Sequence, residues 1–63
     1  MELKKIKKFL RKEIEALGDK IRFGKFDGEK LYAVIIREDG RKENVYYRFE
    51  NGELVSSWYY TIE

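Results

Sequence analysis

The sequence predicts an α+β fold in which one N-terminal helix covers one face of a four-stranded antiparallel up-and-down β-meander. Apolar residues in the first 17 positions recur at helical spacing. Three Asp-Gly or Asn-Gly pairs then follow at even intervals, and such pairs are the strongest short signal of a β-hairpin. An unbroken apolar run within residues 30–37 is typical of a central strand. The order of elements is therefore helix, then four strands (αββββ).

The composition limits both the size of the fold and its chemistry. The 63 residues suffice for one domain, 1–63. The chain has no Cys and no His, which excludes disulfides and thiolate metal sites and removes the usual neutral-pH acid–base group. No apolar run approaches the ~20 residues of a membrane span, and the basic N-terminus lacks the apolar core of a signal peptide. We expect a soluble, cytoplasmic protein that does not act at a membrane.

The helix is predicted over residues 2–17. Its apolar positions are spaced three or four apart and form one stripe: Leu3, Ile6, Leu10, Ile14 and Leu17. Gly18 follows directly, where a glycine ends many helices because it adopts the left-handed conformation without a Cβ clash. Glu13 lies at the edge of the stripe and is expected to reach its rim.

The strands are predicted at 20–26, 29–38, 41–50 and 53–62, joined by two-residue loops. Such loops fix the register, and directly opposed residues share a face of the sheet. The predicted pairs are Ile21–Val34, Phe23–Tyr32, Tyr32–Tyr47, Val34–Val45, Val45–Trp58 and Phe49–Leu54. Gly24 and the following Lys25-Phe26 break the alternation of the first strand, which indicates a bulge or a close approach of the helix.

This register assigns twelve side chains to the face beneath the helix. They are Ile21, Phe23, Tyr32, Val34, Ile36, Val45, Tyr47, Phe49, Leu54, Trp58, Tyr60 and Ile62. The opposite face would then keep an uncovered apolar island, which is a candidate interface for self-association as a homodimer. The residues of this candidate interface are Leu31, Ile35, Tyr46, Val55 and Tyr59.

Two basic features are candidates for anion or nucleic-acid contact. Residues 1–12 carry six basic side chains against one acidic, although the net charge of the whole chain is only +2. On the uncovered sheet face, arginines alternate with aromatic residues, a pattern that is similar to single-strand-binding sheets. The candidate contacts are Lys4, Lys8, Arg11, Lys12, Arg22 and Arg48. A solvated, solubilising helix face is the simpler interpretation of the basic run.

No residue pattern indicates catalysis. Ser56-Ser57 is the only hydroxyl pair, and there is no His to act as its base. The carboxylates fall mostly in turns and strand ends, where turn formation and solubility explain them. The glycines are isolated hairpin glycines and not a phosphate-binding loop. We predict no enzymatic activity and no catalytic, cofactor-binding or metal-binding residues.

The chain resembles a de novo designed α/β mini-protein. The features that carry the resemblance are the Glu/Lys-rich helix, the absence of Cys, His and Pro, the Asp-Gly or Asn-Gly at every hairpin and the matched strand lengths. The resemblance implies a stable scaffold without natural activity. The topology also resembles a shortened cystatin-like fold, a match that brings no binding residues with it. The alternative function is a small binding module that uses the uncovered sheet face for nucleic acid or a protein partner.

Overall fold

A computed structural model describes residues 3–61 and confirms the predicted architecture of one helix and four antiparallel strands. The helix α1 spans Leu3–Ala16. The strands are β1 (Lys20–Phe26), β2 (Lys30–Ile36), β3 (Lys42–Glu50) and β4 (Glu53–Tyr60), and they lie in the order β1-β2-β3-β4. The predicted helix start at Glu2 and the predicted strand end at Ile62 lie outside the described residues.

The end of α1 is set by Gly18, as the sequence predicts. Gly18 has a φ of 86°. Its N–H donates to the carbonyl of Glu15 at 3.0 Å, and the N–H of Asp19 donates to the carbonyl of Ile14 at 3.2 Å. These two bonds are the Schellman arrangement, which satisfies the last helical carbonyls and turns the chain toward β1. A Cβ at Gly18 would also lie 2.9 Å from Oε2 of Glu38.

The pairing of β1 with β2 corrects the predicted register. Phe23 lies opposite Ala33, but Phe26 lies opposite Leu31, so the register shifts across Gly24-Lys25. The bulge that was one of the two predicted explanations is confirmed. The predicted pairs Ile21–Val34 and Phe23–Tyr32 are wrong.

The turn between β1 and β2 is the second reason why the predicted register of these strands is wrong. Oδ1 of Asp27 accepts the backbone N–H groups of Glu29 at 2.9 Å and Lys30 at 2.7 Å. The N–H of Asp27 donates to the carbonyl of Lys30 at 3.1 Å. Asp27, the residue after β1, is therefore still bonded to Lys30, and the loop residues are Gly28 and Glu29 instead of Asp27 and Gly28.

The turn between β2 and β3 holds three residues where two were predicted. The N–H of Arg37 donates to the carbonyl of Arg41 at 2.7 Å, and the N–H of Gly40 donates to the carbonyl of Arg37 at 2.9 Å. Gly40 has a φ of 91°, as the last position of a three-residue hairpin loop requires.

The extra loop residue moves β2 by one position relative to β3. Tyr32 lies opposite Tyr46, and Ala33 lies opposite Val45. The predicted pairs Tyr32–Tyr47 and Val34–Val45 are therefore wrong. A shift of one residue exchanges the two faces of a strand. As a result, Leu31, Ala33 and Ile35 face the helix instead of Tyr32, Val34 and Ile36.

The hairpin of β3 and β4 begins in the predicted register and then departs from it. Phe49 lies opposite Leu54, as predicted, and Asn51 in the turn has the positive φ of 52° that this turn type requires. Beyond the turn, Arg48 lies opposite Ser56, which leaves Val55 as an extra residue in β4. The predicted pair Val45–Trp58 is therefore wrong, because Val45 now lies opposite Tyr59.

The core lies between α1 and the sheet, and β1 is the strand closest to the helix. Its buried apolar residues are Ile6, Leu10, Ile21, Leu31, Ala33, Ile35, Val45, Tyr47 and Phe49. Leu3, Ile14 and Phe23 are partly buried against this core. Leu17 and Glu13 are exposed.

Several predicted positions of side chains are corrected by this packing. Leu31 and Ile35, which were predicted to lie on the uncovered face, are 0% exposed in the core. Tyr32, Val34, Ile36, Trp58 and Tyr60 were predicted beneath the helix and lie on the opposite face. Both corrections have the same physical cause, namely the extra residue in a loop or strand.

Candidate binding surface

The surface that remains uncovered is the sheet face opposite the helix, which we call the open face. It is built from four rows of cross-strand neighbours that share this face. The rows are Lys20–Ile36–Lys42, Arg22–Val34–Asn44–Tyr60, Tyr32–Tyr46–Trp58 and Lys30–Arg48–Ser56. Each row runs across neighbouring strands, so all four strands contribute to one continuous surface.

An aromatic cluster occupies the middle of the open face. Its members are Tyr32, Tyr46 and Tyr60. The ring centroids are 6.1 Å apart for Tyr32 and Tyr46, 6.3 Å for Tyr32 and Tyr60, and 5.9 Å for Tyr46 and Tyr60. These spacings lie within the range of favourable aromatic pairs. The three rings therefore support one another and form a preorganised apolar surface.

Trp58 extends this cluster on the outer strand β4. It lies directly opposite Tyr46, and 55% of its surface is exposed. Because the cluster rings are partly buried and Trp58 is more exposed, the indole is the aromatic group on this face that is most accessible to a ligand.

The four rows of the open face carry charge of one sign, whereas the next cross-strand pair toward the turn between β3 and β4, Glu50–Glu53, is acidic. The four rows contain five cationic side chains and no carboxylate: Lys20, Arg22, Lys30, Lys42 and Arg48. The ammonium of Lys30 lies 5.1 Å from the ring centroid of Tyr46, within cation–π distance. The cations thus surround and partly overlie the aromatic cluster.

Carboxylates border the open face at one end. Nη2 of Arg48 lies 3.6 Å from Oε1 of Glu29 and 3.8 Å from Oε1 of Glu50. These are long, solvent-exposed contacts of little energetic weight. Nε of Arg48 is buried and has no hydrogen-bond partner among the described residues. The guanidinium is therefore only weakly neutralised.

A shallow groove crosses the open face beside the aromatic cluster. It is lined in part by Arg22, Tyr32, Val34, Asn44 and Tyr60. A cation, an amide and two aromatic rings are therefore accessible from one depression. This combination suits a planar group that carries hydrogen-bonding edges and lies close to a negative charge.

The opposite end of the sheet holds an ion-pair cluster around Arg37. Its Nη1 donates to Oδ2 of Asp19 at 3.0 Å, and its Nη2 donates to Oε2 of Glu43 at 2.8 Å. The guanidinium carbon also lies 5.8 Å from the ring centroid of Tyr59. The hydrogen bond to Glu43, followed by that to Asp19, raises the pKa of Arg37. The same bond from Arg37 lowers the pKa of Glu43.

This cluster has the features of a structural tie and not of a reactive site. Both of its carboxylates are paired with one guanidinium, and the lowered pKa of Glu43 means that this group is not held ready to take a proton. Sequence reasoning did not find the cluster. Asp19 and Arg37 are distant in the sequence, and the pairing depends on the loop length that was predicted incorrectly.

The sequence-predicted contact residues fall on two separate surfaces. Arg22 and Arg48 lie on the open face. Lys4, Lys8, Arg11 and Lys12 are exposed on α1, on the other side of the sheet. The guanidinium of Arg11 lies 5.5 Å from the ring centroid of Phe23 beneath the helix. The structure therefore does not bring the helix run and the sheet arginines into one site.

The predicted interface residues are also divided. Tyr46 belongs to the open face, whereas Leu31 and Ile35 belong to the core. Val55 is the bulged residue of β4 and is 50% exposed, and Tyr59 lies on the helix side at 57% exposure. The sequence missed Tyr32, Tyr60 and Trp58 as surface residues because their strands were assigned to the wrong face.

Comparison with known proteins returned no matching family model, no matching curated protein and no matching solved structure. Within residues 3–61 there is no helix of the length and apolar character that a membrane crossing needs. The same residues contain no group of three or more acidic side chains placed to hold a metal ion.

Proposed function

We propose that this chain is a stable scaffold without enzymatic activity that uses its open face to bind single-stranded nucleic acid. The observation that carries the proposal is the placement of the aromatic cluster and Trp58 among five cations, with no carboxylate inside the four rows. The resemblance to designed mini-proteins supports the scaffold part, because it implies a fold built for stability.

The proposal that the chain has no enzymatic activity is supported by the pKa values of its carboxyl groups. The carboxyl pKa values that depart from their ordinary range, those of Asp27, Asp39 and Glu43, are all lowered. A general acid at neutral pH needs the opposite shift, toward a raised pKa. These three carboxylates are therefore suited to turns and ion pairs.

Single-stranded nucleic acid fits the open face for two physical reasons. Exposed bases stack on aromatic rings, and each stacked base contributes about 1–3 kcal/mol. Phosphates bind lysine and arginine side chains and release counterions, which adds an affinity that is independent of sequence. In a duplex the base faces are covered by neighbouring base pairs, so we expect the protein to prefer the single strand.

The main competing function, self-association of two open faces, is disfavoured by charge. A face-to-face dimer would bring five cations of one copy toward five of the other. Like charges in contact lower affinity and select against the wrong partner. A polyanion meets the same surface with complementary charge.

The test is a titration of labelled single-stranded oligonucleotide at several salt concentrations, followed by anisotropy and by the fluorescence of Trp58. Trp58→Ser removes a 55% exposed ring from the open face, and Phe9→Ser is the matched control, because Phe9 is 57% exposed on α1. We expect Trp58→Ser to weaken binding by about 1–3 kcal/mol, the value of one stacked base. Phe9→Ser should bind as the parent does.

A second pair of variants tests the charges. Arg22→Gln removes a cation from the open face, and Lys8→Gln removes one from the exposed surface of the helix. Affinity falls as the salt concentration rises, and a plot of log affinity against log salt should be less steep for Arg22→Gln than for the parent. The slope for Lys8→Gln should equal that of the parent. No detectable binding at low salt, or equal losses in both members of either pair, would contradict the proposal.

A further inference from the structure

We infer that β4 is an edge for self-association, at which two copies of the chain pair their β4 strands antiparallel and join their sheets into one. This interaction does not depend on the proposed binding of nucleic acid, because it is made by the backbone edge of β4, although Ser56 and Trp58 of the open face lie in the same strand. Within residues 3–61, β4 is the last strand of the sheet and has a neighbouring strand on one side only. An edge strand presents a row of unpaired N–H and C=O groups that can pair with another strand.

The composition of β4 favours such pairing. The segment from Leu54 to Tyr60 contains no charged residue, so two copies can approach without repulsion. Of the seven large apolar residues that are most exposed in the described chain, four lie in this strand. They are Leu54, Val55, Trp58 and Tyr59, at 38%, 50%, 55% and 57% exposure. Neutral, aromatic and β-branched segments of this kind pair readily with other strands.

The other edge of the sheet provides an internal comparison. β1 carries Lys20, Arg22 and Lys25 along its seven residues and contains a bulge after Phe23. It is also the strand closest to the helix. Charges, bulges and cover by a helix are the features that protect edge strands from unwanted pairing. β4 also has a bulge, at Val55, but its uncharged part lacks the charges and the helix cover of β1.

The strand also supplies a suitable centre for a symmetric pair. From Ser56 to Tyr60 the pairing with β3 is regular, which leaves a straight segment on the outer side. Ser57 lies at the middle of this segment, points to the helix side opposite Tyr47 and is exposed. A two-fold axis at Ser57 brings two small side chains together and places Ser56 of one copy opposite Trp58 of the partner subunit.

The partner that we infer for the β4 edge is a second copy of the chain. In an antiparallel pair of identical strands, each residue and its partner exchange roles about the axis, as an isologous interface requires. With the axis at Ser57 both helices lie on the same side of the joined sheet, and the cationic open faces lie side by side instead of face to face. Edge pairing alone buries less than the roughly 1,600 Å² of a standard interface, so we expect a reversible dimer.

The experiment measures the oligomeric state by sedimentation from micromolar to millimolar protein. Ser57→Lys places two ammonium groups directly opposite each other at the proposed axis. Ala16→Lys adds the same charge at an exposed position at the end of α1 and is the matched control. We expect a concentration-dependent dimer for the parent and for Ala16→Lys. Ser57→Lys should raise the dimer dissociation constant by about tenfold or more through like-charge repulsion.

Amide hydrogen exchange of the parent gives a second readout that needs no variant. Alternate β4 amides, those that point away from β3, should become protected as the protein concentration rises, while β1 amides should not change. Circular dichroism of Ser57→Lys serves as the control that this variant is folded. A parent chain that stays monomeric at millimolar concentration would overturn the inference. So would a dimer that Ser57→Lys leaves intact, or protection that appears at β1.

Discussion

Arg37 and Asp19 form an ion pair of 3.0 Å that ties the end of the helix to the turn between β2 and β3. Asp19 is 9% exposed, and both of its oxygens are used, because Oδ1 accepts the backbone N–H of Glu38 at 2.9 Å. Asp19 directly follows Gly18, and its backbone N–H bonds the carbonyl of Ile14, which places the carboxylate at the end of the helix. The pair therefore links the end of α1 to the end of β2 and helps to hold the helix against the sheet.

Loss of the Asp19 carboxylate should therefore destabilise the fold. Asp19→Ala leaves the partly buried backbone N–H of Glu38 without its acceptor and removes one partner of Arg37, which we expect to cost about 1–3 kcal/mol. Glu29→Ala is the control, because its contact with Arg48 is 3.6 Å long and exposed, and such pairs contribute about 0–1 kcal/mol. Urea unfolding of both variants measures the difference. Equal losses would show that the Asp19 pair is not a structural tie.

The register of β2 is tested by two adjacent isoleucines. Ile35 is 0% exposed in the core, whereas Ile36 lies on the open face opposite Lys20 and Lys42. Ile35→Ala should lower the free energy of unfolding by about 2–5 kcal/mol, the usual cost of a core cavity. Ile36→Ala removes the same atoms from a half-buried site and should cost about 1 kcal/mol or less.

The two isoleucine variants control for each other, since the chemical change is identical. The shorter loop that the sequence predicts would place Ile36 in the core and Ile35 on the surface. A larger loss for Ile36→Ala than for Ile35→Ala would therefore show that the three-residue loop is incorrect.

The stability of the fold should decrease on the acid side. The N–H groups of Lys30 and Glu29 lower the pKa of Asp27, and that of Arg41 lowers the pKa of Asp39. A carboxyl whose pKa is lower in the folded chain binds fewer protons there than in the unfolded chain. Its contribution to stability is present above the unfolded value of about 4 and is lost as the pH falls through the folded value.

Asp27→Asn gives this prediction a specific test. The side-chain amide that this substitution introduces keeps an oxygen acceptor for the two N–H groups, but it does not titrate. We expect the variant to remain folded at neutral pH and to lose less stability than the parent between about pH 5 and about pH 2. Thermal unfolding across this pH range measures the difference. Identical pH profiles would contradict the assignment of the lowered pKa to this turn.

The number and order of the elements could be predicted from the sequence because local signals specify them. The apolar stripe and Gly18 define the helix, and the three glycine-containing pairs define three hairpins. The turn pairs do not specify how many residues each loop holds. Asp39 and Gly40 occur in the three-residue loop that this chain forms, although an Asp-Gly pair also suits a two-residue loop.

The alternation of apolar and polar residues does not reveal the length of the loop between β2 and β3, because β2 is apolar on both faces. Leu31, Ala33 and Ile35 fit a core as well as Tyr32, Val34 and Ile36 do, so either register satisfies the pattern. In β4 the run Trp58-Tyr59-Tyr60 has the same ambiguity. The extra residue in the loop between β2 and β3, and the bulge at Val55, determine which residues of β2 and β4 face the helix. Neither feature can be recognised from the amino-acid composition.

Tyr46 separates the structural role of the aromatic cluster from its proposed role in binding. Its ring contacts Tyr32 and Tyr60, and the ammonium of Lys30 lies over it. Tyr46→Phe keeps the ring, and we expect both stability and affinity for single-stranded oligonucleotide to stay close to those of the parent. Tyr46→Leu keeps apolar bulk but removes the π surface. It should lose about 0.5–1.5 kcal/mol of aromatic pairing and a further part of the binding affinity.

The decisive comparison is between the two losses in Tyr46→Leu. If bases stack on this surface, the binding free energy of Tyr46→Leu should weaken by about 1 kcal/mol or more. The affinity is measured where the variant is fully folded, so that the change in the free energy of unfolding does not contribute to it. An affinity that stays at the parent value while stability falls would assign Tyr46 to the architecture of the open face alone. In that case the contacts to the oligonucleotide would have to come from Trp58 and the cations. The variants Trp58→Ser and Arg22→Gln, each with its control, measure those contacts independently.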